Sequence, residues 1–113
     1  MSTKLPAISV AEQLAQRIAA QSADRLPSAV RQKCEDLLID VAGLCVTARN
    51  ENYIKAALAG CDDEGSCTAI GHARGFSTAS AAFINGTAAH GEDFDDTFEG
   101  GPVHAGAVIV PAV

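Results

Sequence analysis

The chain has 113 residues, 48% of them hydrophobic but only 4% aromatic, with no tryptophan and a formal net charge of −6. That length allows one domain with a modest core, near the size at which burial only just offsets chain entropy, and leaves no room for a second. The acidic balance provides no basic stripe to neutralise phosphates, which excludes nucleic acid as a partner, whereas an anionic small substrate stays open because the charge inside a pocket can differ from the sum.

A core made mainly of Ala, Val, Leu and Ile suits closely packed helices, so the expected fold class is all-α, a helical bundle. Met1-Ser2-Thr3-Lys4 is not followed by an uninterrupted apolar core, and no signal peptide is expected. No run reaches transmembrane length without a charge, so no membrane span is expected either. Cys34 and Cys45, eleven apart on one predicted helix, would lie about 16 Å apart by helical rise, too far to bridge. With Cys61 and Cys67 they form no C-x-x-C pair, and reduced, mostly buried thiols of a cytoplasmic protein are the simplest expectation.

In chain order, Ser9-Val10-Ala11-Glu12 fits a capping box ahead of a helix from about Val10 to Ala20, with Leu14 and Ile18 on one face. Leu26-Pro27-Ser28 breaks that pattern and offers Ser28 as an N-cap. Val30, Cys34, Leu37, Leu38, Val41, Leu44, Cys45 and Ala48 then recur at helical spacing, predicting a long amphipathic helix from about Ala29 to Ala48. Gly43 within it suggests a close helix contact. Asn50 to Ala59 reads as a shorter helix, with Tyr53, Ile54, Ala57 and Leu58 on one side.

Gly60 to Ser66 is a polar, turn-rich loop whose Asp62, Asp63 and Glu64 read as a plain exposed acidic turn. Cys67 to Gly71 could be extended but is too brief to count as a sheet, and His72 reads as a loop histidine with Arg74 as a solvated neighbour. Small and apolar residues from Ser77 or Thr78 to His90 predict a buried, tightly packed helix. A polar stretch follows, and Ala105 to Val113 begins another apolar element. A run that stops inside hydrophobic sequence with no polar cap lacks partners. The chain is therefore expected to be the N-terminal portion of a larger, mostly helical domain, or to depend on a partner.

The polar stretch, His90 to His104, carries the chemistry. Asp93, Asp95 and Thr97 alternate as in a calcium loop, but Phe98 stands where the sharp turn wants Gly and His104 where a bidentate Glu is needed, so that reading fails. A transition-metal site from His90, Asp93 and His104 is a legitimate ligand set, with His90 and Asp93 placed to share a helix face, although no H-E-x-x-H or Cys/His pattern sharpens it. A third reading is a metal-free acid–base site. In it Asp93 orients His104, Thr97 supplies a hydroxyl, and the glycines at 100, 101 and 106 offer backbone donors at the start of the next helix. The plain alternative is a solvated loop with one Asp capping that helix.

Ala81-Ala82-Phe83-Ile84-Asn85-Gly86-Thr87-Ala88-Ala89-His90-Gly91-Glu92-Asp93-Phe94-Asp95-Asp96-Thr97, followed by a His-containing segment and an apolar helix, resembles the signature of the MmgE/PrpD family. That family includes 2-methylcitrate dehydratase, cis-aconitate decarboxylase and iminodisuccinate epimerase. The resemblance covers most of the chain and implies the N-terminal segment of a longer enzyme. Members pair a large helical domain with a lid-like one, typically dimerise, and act without metal or cofactor on small di- or tricarboxylic acids.

Carried over residue by residue, the resemblance implies substrate contacts at Asp93, Thr97 and His104, with Asp96 and His90 beside them. One departure stands out: many members have a histidine directly after D-F-D-D-T, where this chain has Phe98-Glu99, an acid in place of a base. The leading expectation is a lyase of the dehydratase type that removes a proton alpha to a carboxylate, with His104 as the acid–base residue and Asp93 as its orienter. The alternatives are an epimerase or decarboxylase of the same family, or a non-catalytic helical assembly module.

Overall fold

A computed structural model describes residues 8–113; the segment from Met1 to Lys4, where no signal peptide is expected, lies outside the described residues. Contacts divide the chain into two units, Met1–Gln32 and Lys33–Val113.

In the N-terminal unit, α1 spans Val10–Ala19 and begins at Ser9, whose hydroxyl accepts from the Glu12 N–H at 3.1 Å. The amide half of the expected capping box is thus present. No residue of α1 is buried, and Val10, Leu14 and Ile18 stay exposed. A 3-10 turn at Ala23–Arg25 follows, its end tied by Arg25, which donates to the Ala20 carbonyl at 2.7 Å.

The helix α2, Ser28–Ala48, crosses the boundary between the units. Ser28 is its first residue and not its cap: Val30 and Arg31 donate to the Pro27 carbonyl, so Pro27 opens the first turn. Only the second half of α2 is buried, through Val41, Cys45 and Ala48. Gly43 permits no close helix contact, for a side chain there would meet nothing within 4 Å.

The C-terminal unit packs α2 with α3 (Asn52–Gly60), α4 (Thr78–His90) and the short α5 (Ala105–Ile109), which runs on into a 3-10 turn at Val110–Ala112. The fold is helical. Its one sheet, among the described residues, is a two-stranded antiparallel ribbon of β1 (Cys67–Thr68) and β2 (Gly75–Phe76). The segment after Ser66 therefore does pair, in spite of its brevity. It reverses through Ala69 to His72, where His72 N–H meets the Ala69 carbonyl at 3.0 Å and Gly71 takes φ +88°, a turn position that favours glycine. Arg74 is no solvated neighbour of His72: it stacks over the Phe76 ring at 4.3 Å and donates to the Cys61 carbonyl.

One core cluster joins Val41, Cys45 and Ala48 to Ile54, Ala88, Ala89 and Ala107, and a second joins Ala57, Ala69, Phe76, Ala81 and Ile84. Each fully buried Val, Ile or Phe contributes about 1.5–3 kcal/mol. Alanines on α4 keep its neighbours close.

Asn85, nearly buried on α4, is the polar stitch between these layers. Its Oδ1 accepts from Ile70 N–H at 2.8 Å, its Nδ2 donates to the Thr68 carbonyl at 2.9 Å, and its backbone carbonyl accepts from Cys45 Sγ at 3.4 Å. Burial pushes the Cys45 thiol pKa up. All four cysteines are free but only Cys45 is buried; Cys34 is exposed and Cys61 and Cys67 are half-buried, against the expectation of mostly buried thiols.

Candidate active site

The site is assembled where α4 ends and α5 begins. Ser77 caps the start of α4 by accepting from Ser80 N–H, and the Ser80 hydroxyl donates to Asp63 at 2.6 Å. Asp63 is thus engaged at the N-terminus of α4, where an anion is favoured, and does not belong to a plain exposed turn. Hydrogen bonds from Ser77 and Ser80 hold its carboxyl below the usual carboxylate range.

At the other end, His90 is the last residue of α4 and Gly91 follows it against the Tyr53 ring, where a side chain could not fit. The Tyr53 hydroxyl is buried without a hydrogen-bond partner. That burial, together with the nearby Glu92 carboxylate, raises its pKa.

Asp93 N–H returns to the His90 carbonyl at 2.9 Å, and Asp93 takes φ +58°, a left-handed conformation that Asp tolerates better than most residues. His90 and Asp93 therefore do not share a helix face: the helix has ended and the chain doubles back. This reversal carries Asp95 underneath the histidine. The Asp95 side chain is 0% exposed, with its Oδ1 at 3.0 Å and Oδ2 at 3.2 Å from His90 Nδ1.

His104, immediately before α5, completes the group. Its Nδ1 lies 3.4 Å from Asp95 Oδ2, an ion-pair distance outside hydrogen-bond geometry, and its Nε2 lies 3.8 Å from Asp93 Oδ1. The two imidazoles meet edge to face with centroids 4.8 Å apart. Asp93 and His90 face water, while His104 is largely enclosed. Gly86, Thr87, His90, Gly91, His104, Ala107 and Val108 line a hollow of about 590 Å³, within the range of small-molecule sites.

Of the residues singled out from sequence, His90, Asp93 and His104 come together. Asp96 turns away, its Oδ1 accepting from Gly106 N–H at 2.8 Å. It caps α5 as the plain alternative anticipated, and that donor serves an internal carboxylate, not a ligand. A side chain at 106 would overlap the Asp96 carboxylate. Thr97 is exposed, with its hydroxyl 3.5 Å from the Asp95 carbonyl.

The residue missed by sequence reasoning is Asp95. Nothing in residue type distinguishes it from Asp93 or Asp96; only the chain reversal buries it. Between Thr97 and His104 the loop closes on itself through Phe98 N–H to Val103 O at 3.0 Å and Gly101 N–H to Phe98 O at 3.1 Å.

His90, Asp93, Asp95 and His104 each offer a donor atom, all within 4.8 Å of one another, and among the described residues they are the group able to hold a metal ion. The separations of 3.0–3.8 Å between the rings and the carboxylates are equally those of an imidazole–carboxylate proton-transfer network.

The sequence profile of the MmgE/PrpD N-terminal domain matches residues 12–113. A cis-aconitate decarboxylase-like protein, oryM, of Aspergillus oryzae is 29% identical over 91 residues, which cover 78% of this chain and 19% of that protein. The chain thus spans about a fifth of that relative's length. No solved structure matches it. No helix among the described residues is long and apolar enough to cross a membrane.

Proposed function

The chain belongs to the MmgE/PrpD family, and from that premise we propose that it supplies the N-terminal helical part of a lyase acting on a small di- or tricarboxylic acid. His104 is the acid–base residue. The observation that carries this reading is the placement of His104, largely enclosed, with one ring nitrogen toward a buried carboxylate and the other toward the exposed Asp93 beside the hollow.

A proton on carbon next to a carboxylate is removed efficiently only by a base held within reach of it. A neutral imidazole with Nε2 free meets that need. Once protonated, the same ring can return the proton to a leaving hydroxyl. Asp93, exposed and 3.8 Å from His104 Nε2, is assigned the substrate hydroxyl, and the exposed Thr97 hydroxyl a further substrate contact, as the family resemblance implies. No Lys or Arg lines the hollow; in this reading the cations that hold the substrate carboxylates are supplied from outside it, and the protein works as a cytoplasmic homodimer.

The name of the Aspergillus relative favours a second reading, decarboxylation, in which His104⁺ protonates the carbon that carbon dioxide leaves. Incubating the intact protein with 2-methylcitrate or cis-aconitate, and following product identity, carbon dioxide and solvent-deuterium incorporation, separates dehydration, decarboxylation and epimerisation. In the active assay, His104→Gln lowers turnover about 10²–10⁴-fold while the unfolding midpoint stays near wild type. Equal losses of activity and stability would make His104 a structural histidine and refute the proposal.

A further inference from the structure

Asp95 is the one charge in the site with no access to solvent, and the chemistry above does not use it. We propose that Asp95, and not Asp93, is the positioning residue of the site: it holds Nδ1–H of both His90 and His104, so that His104 presents an unprotonated Nε2 to the hollow. This rests on the acid–base reading of His104.

A carboxylate withdrawn from water keeps its charge only if donors replace the lost hydration. The ring nitrogens facing its two oxygens are both Nδ1, that of His90 at 3.0 Å and that of His104 at 3.4 Å. A neutral imidazole carries one N–H. His90 Nδ1 reaches both oxygens, at 3.0 and 3.2 Å; His104 Nδ1, enclosed against the same carboxylate, avoids lone-pair repulsion only if it too carries its hydrogen there, which leaves both Nε2 atoms unprotonated.

The His104 contact, at 3.4 Å, lies outside hydrogen-bond geometry in the free site; contacts of this kind often align and tighten only in the substrate complex. Asp93 cannot impose the same order. Its side chain is 77% exposed and it stands 3.8 Å from Nε2, on the side from which the reacting proton would come. The two rings, 4.8 Å apart and edge to face, share one anchor.

An amide at this position changes the outcome in a defined way. The carbonyl oxygen of Asn can still accept from one ring, but its NH₂ is a donor. The ring facing that NH₂ must offer a lone pair at Nδ1 and carry its hydrogen on Nε2.

The test uses ¹⁵N-histidine-labelled intact protein at about pH 8.5, above the usual imidazole titration, where long-range ¹H–¹⁵N spectra report each ring's tautomer. The chain's three histidines are assigned with His72→Gln and the single-site variants. Both His90 and His104 are expected as Nδ1–H in wild type. Asp95→Asn is expected to switch at least one of them to Nε2–H and to lower kcat about 100-fold or more, with KM within about threefold. Asp93→Asn should leave both tautomers as they were.

Predominant Nε2–H on His104 in wild type overturns the proposal, as does a folded Asp95→Asn protein with unchanged tautomers or unchanged kcat. If Asp95→Asn does not fold, the wild-type spectrum decides alone. Absence of turnover with both 2-methylcitrate and cis-aconitate would count against the lyase reading while leaving the tautomer result to stand or fall by itself.

Discussion

Replacing Asn85 with alanine tests whether the stitch between α4 and the ribbon sets the stability of the C-terminal unit. The substitution removes the acceptor of Ile70 N–H and the donor to the Thr68 carbonyl. Ile70 is half-buried, so its stranded N–H costs about 1–3 kcal/mol. Thr68 is exposed, so its carbonyl finds water and the loss there is about 0.5–1 kcal/mol. The expected total is about 1.5–4 kcal/mol. Urea unfolding of the intact protein, followed by circular dichroism, should show it as a midpoint lowered by about 0.8–2 M for an m value near 2 kcal/mol/M. Because His90 ends the same helix, the loss should also loosen the hollow and raise KM. A midpoint within about 0.3 M of wild type would mean that the two bonds are replaced by solvent at little cost, and would refute the assignment of Asn85 as the stitch.

Two further outcomes follow from contacts around the site. Asp96→Ala should cost about 1 kcal/mol by uncapping α5, whereas Asp96→Asn, which keeps an acceptor oxygen, should cost much less; equal losses in urea titrations would show that charge and not capping matters there. Asp63, held below its ordinary pKa by Ser77 and Ser80, adds stability that is fully present above the unfolded carboxylate value and is lost as pH falls through the lower folded one. Ser80→Ala should therefore flatten the acid side of the stability profile, and a profile superimposable on wild type below about pH 4 would contradict the contact.

The helices could be read from the sequence where local signals agree with packing. Ser77 followed by small residues located α4 to within a residue, and the 3.6-residue recurrence through Val41, Cys45 and Ala48 located α2. The ribbon could not be read that way, because two-residue strands have no periodicity and are held by Asn85, ten or more residues further along the chain. Val30, Cys34 and Leu38 of the apolar stripe on α2 proved exposed for a related reason: periodicity reports which face is apolar, and says nothing about whether another element covers it. In the site, the two histidines and Asp93 were recognisable by type. The division of labour among Asp93, Asp95 and Asp96 was not, since it depends on a left-handed residue that turns the chain under the end of α4.

The loop from Phe98 to Val103 is closed by its own backbone, and its neighbours are pinned independently, Asp96 to Gly106 and Asp95 to His90. Its tip is therefore a detour that can be lengthened or recharged while the flanking anchors stay put, since extra residues in a closed surface loop add little entropic cost. The Phe98-Glu99 departure lies on that detour. The length and charge of that tip can change without rebuilding the imidazole pair, much as a door frame accepts a new door.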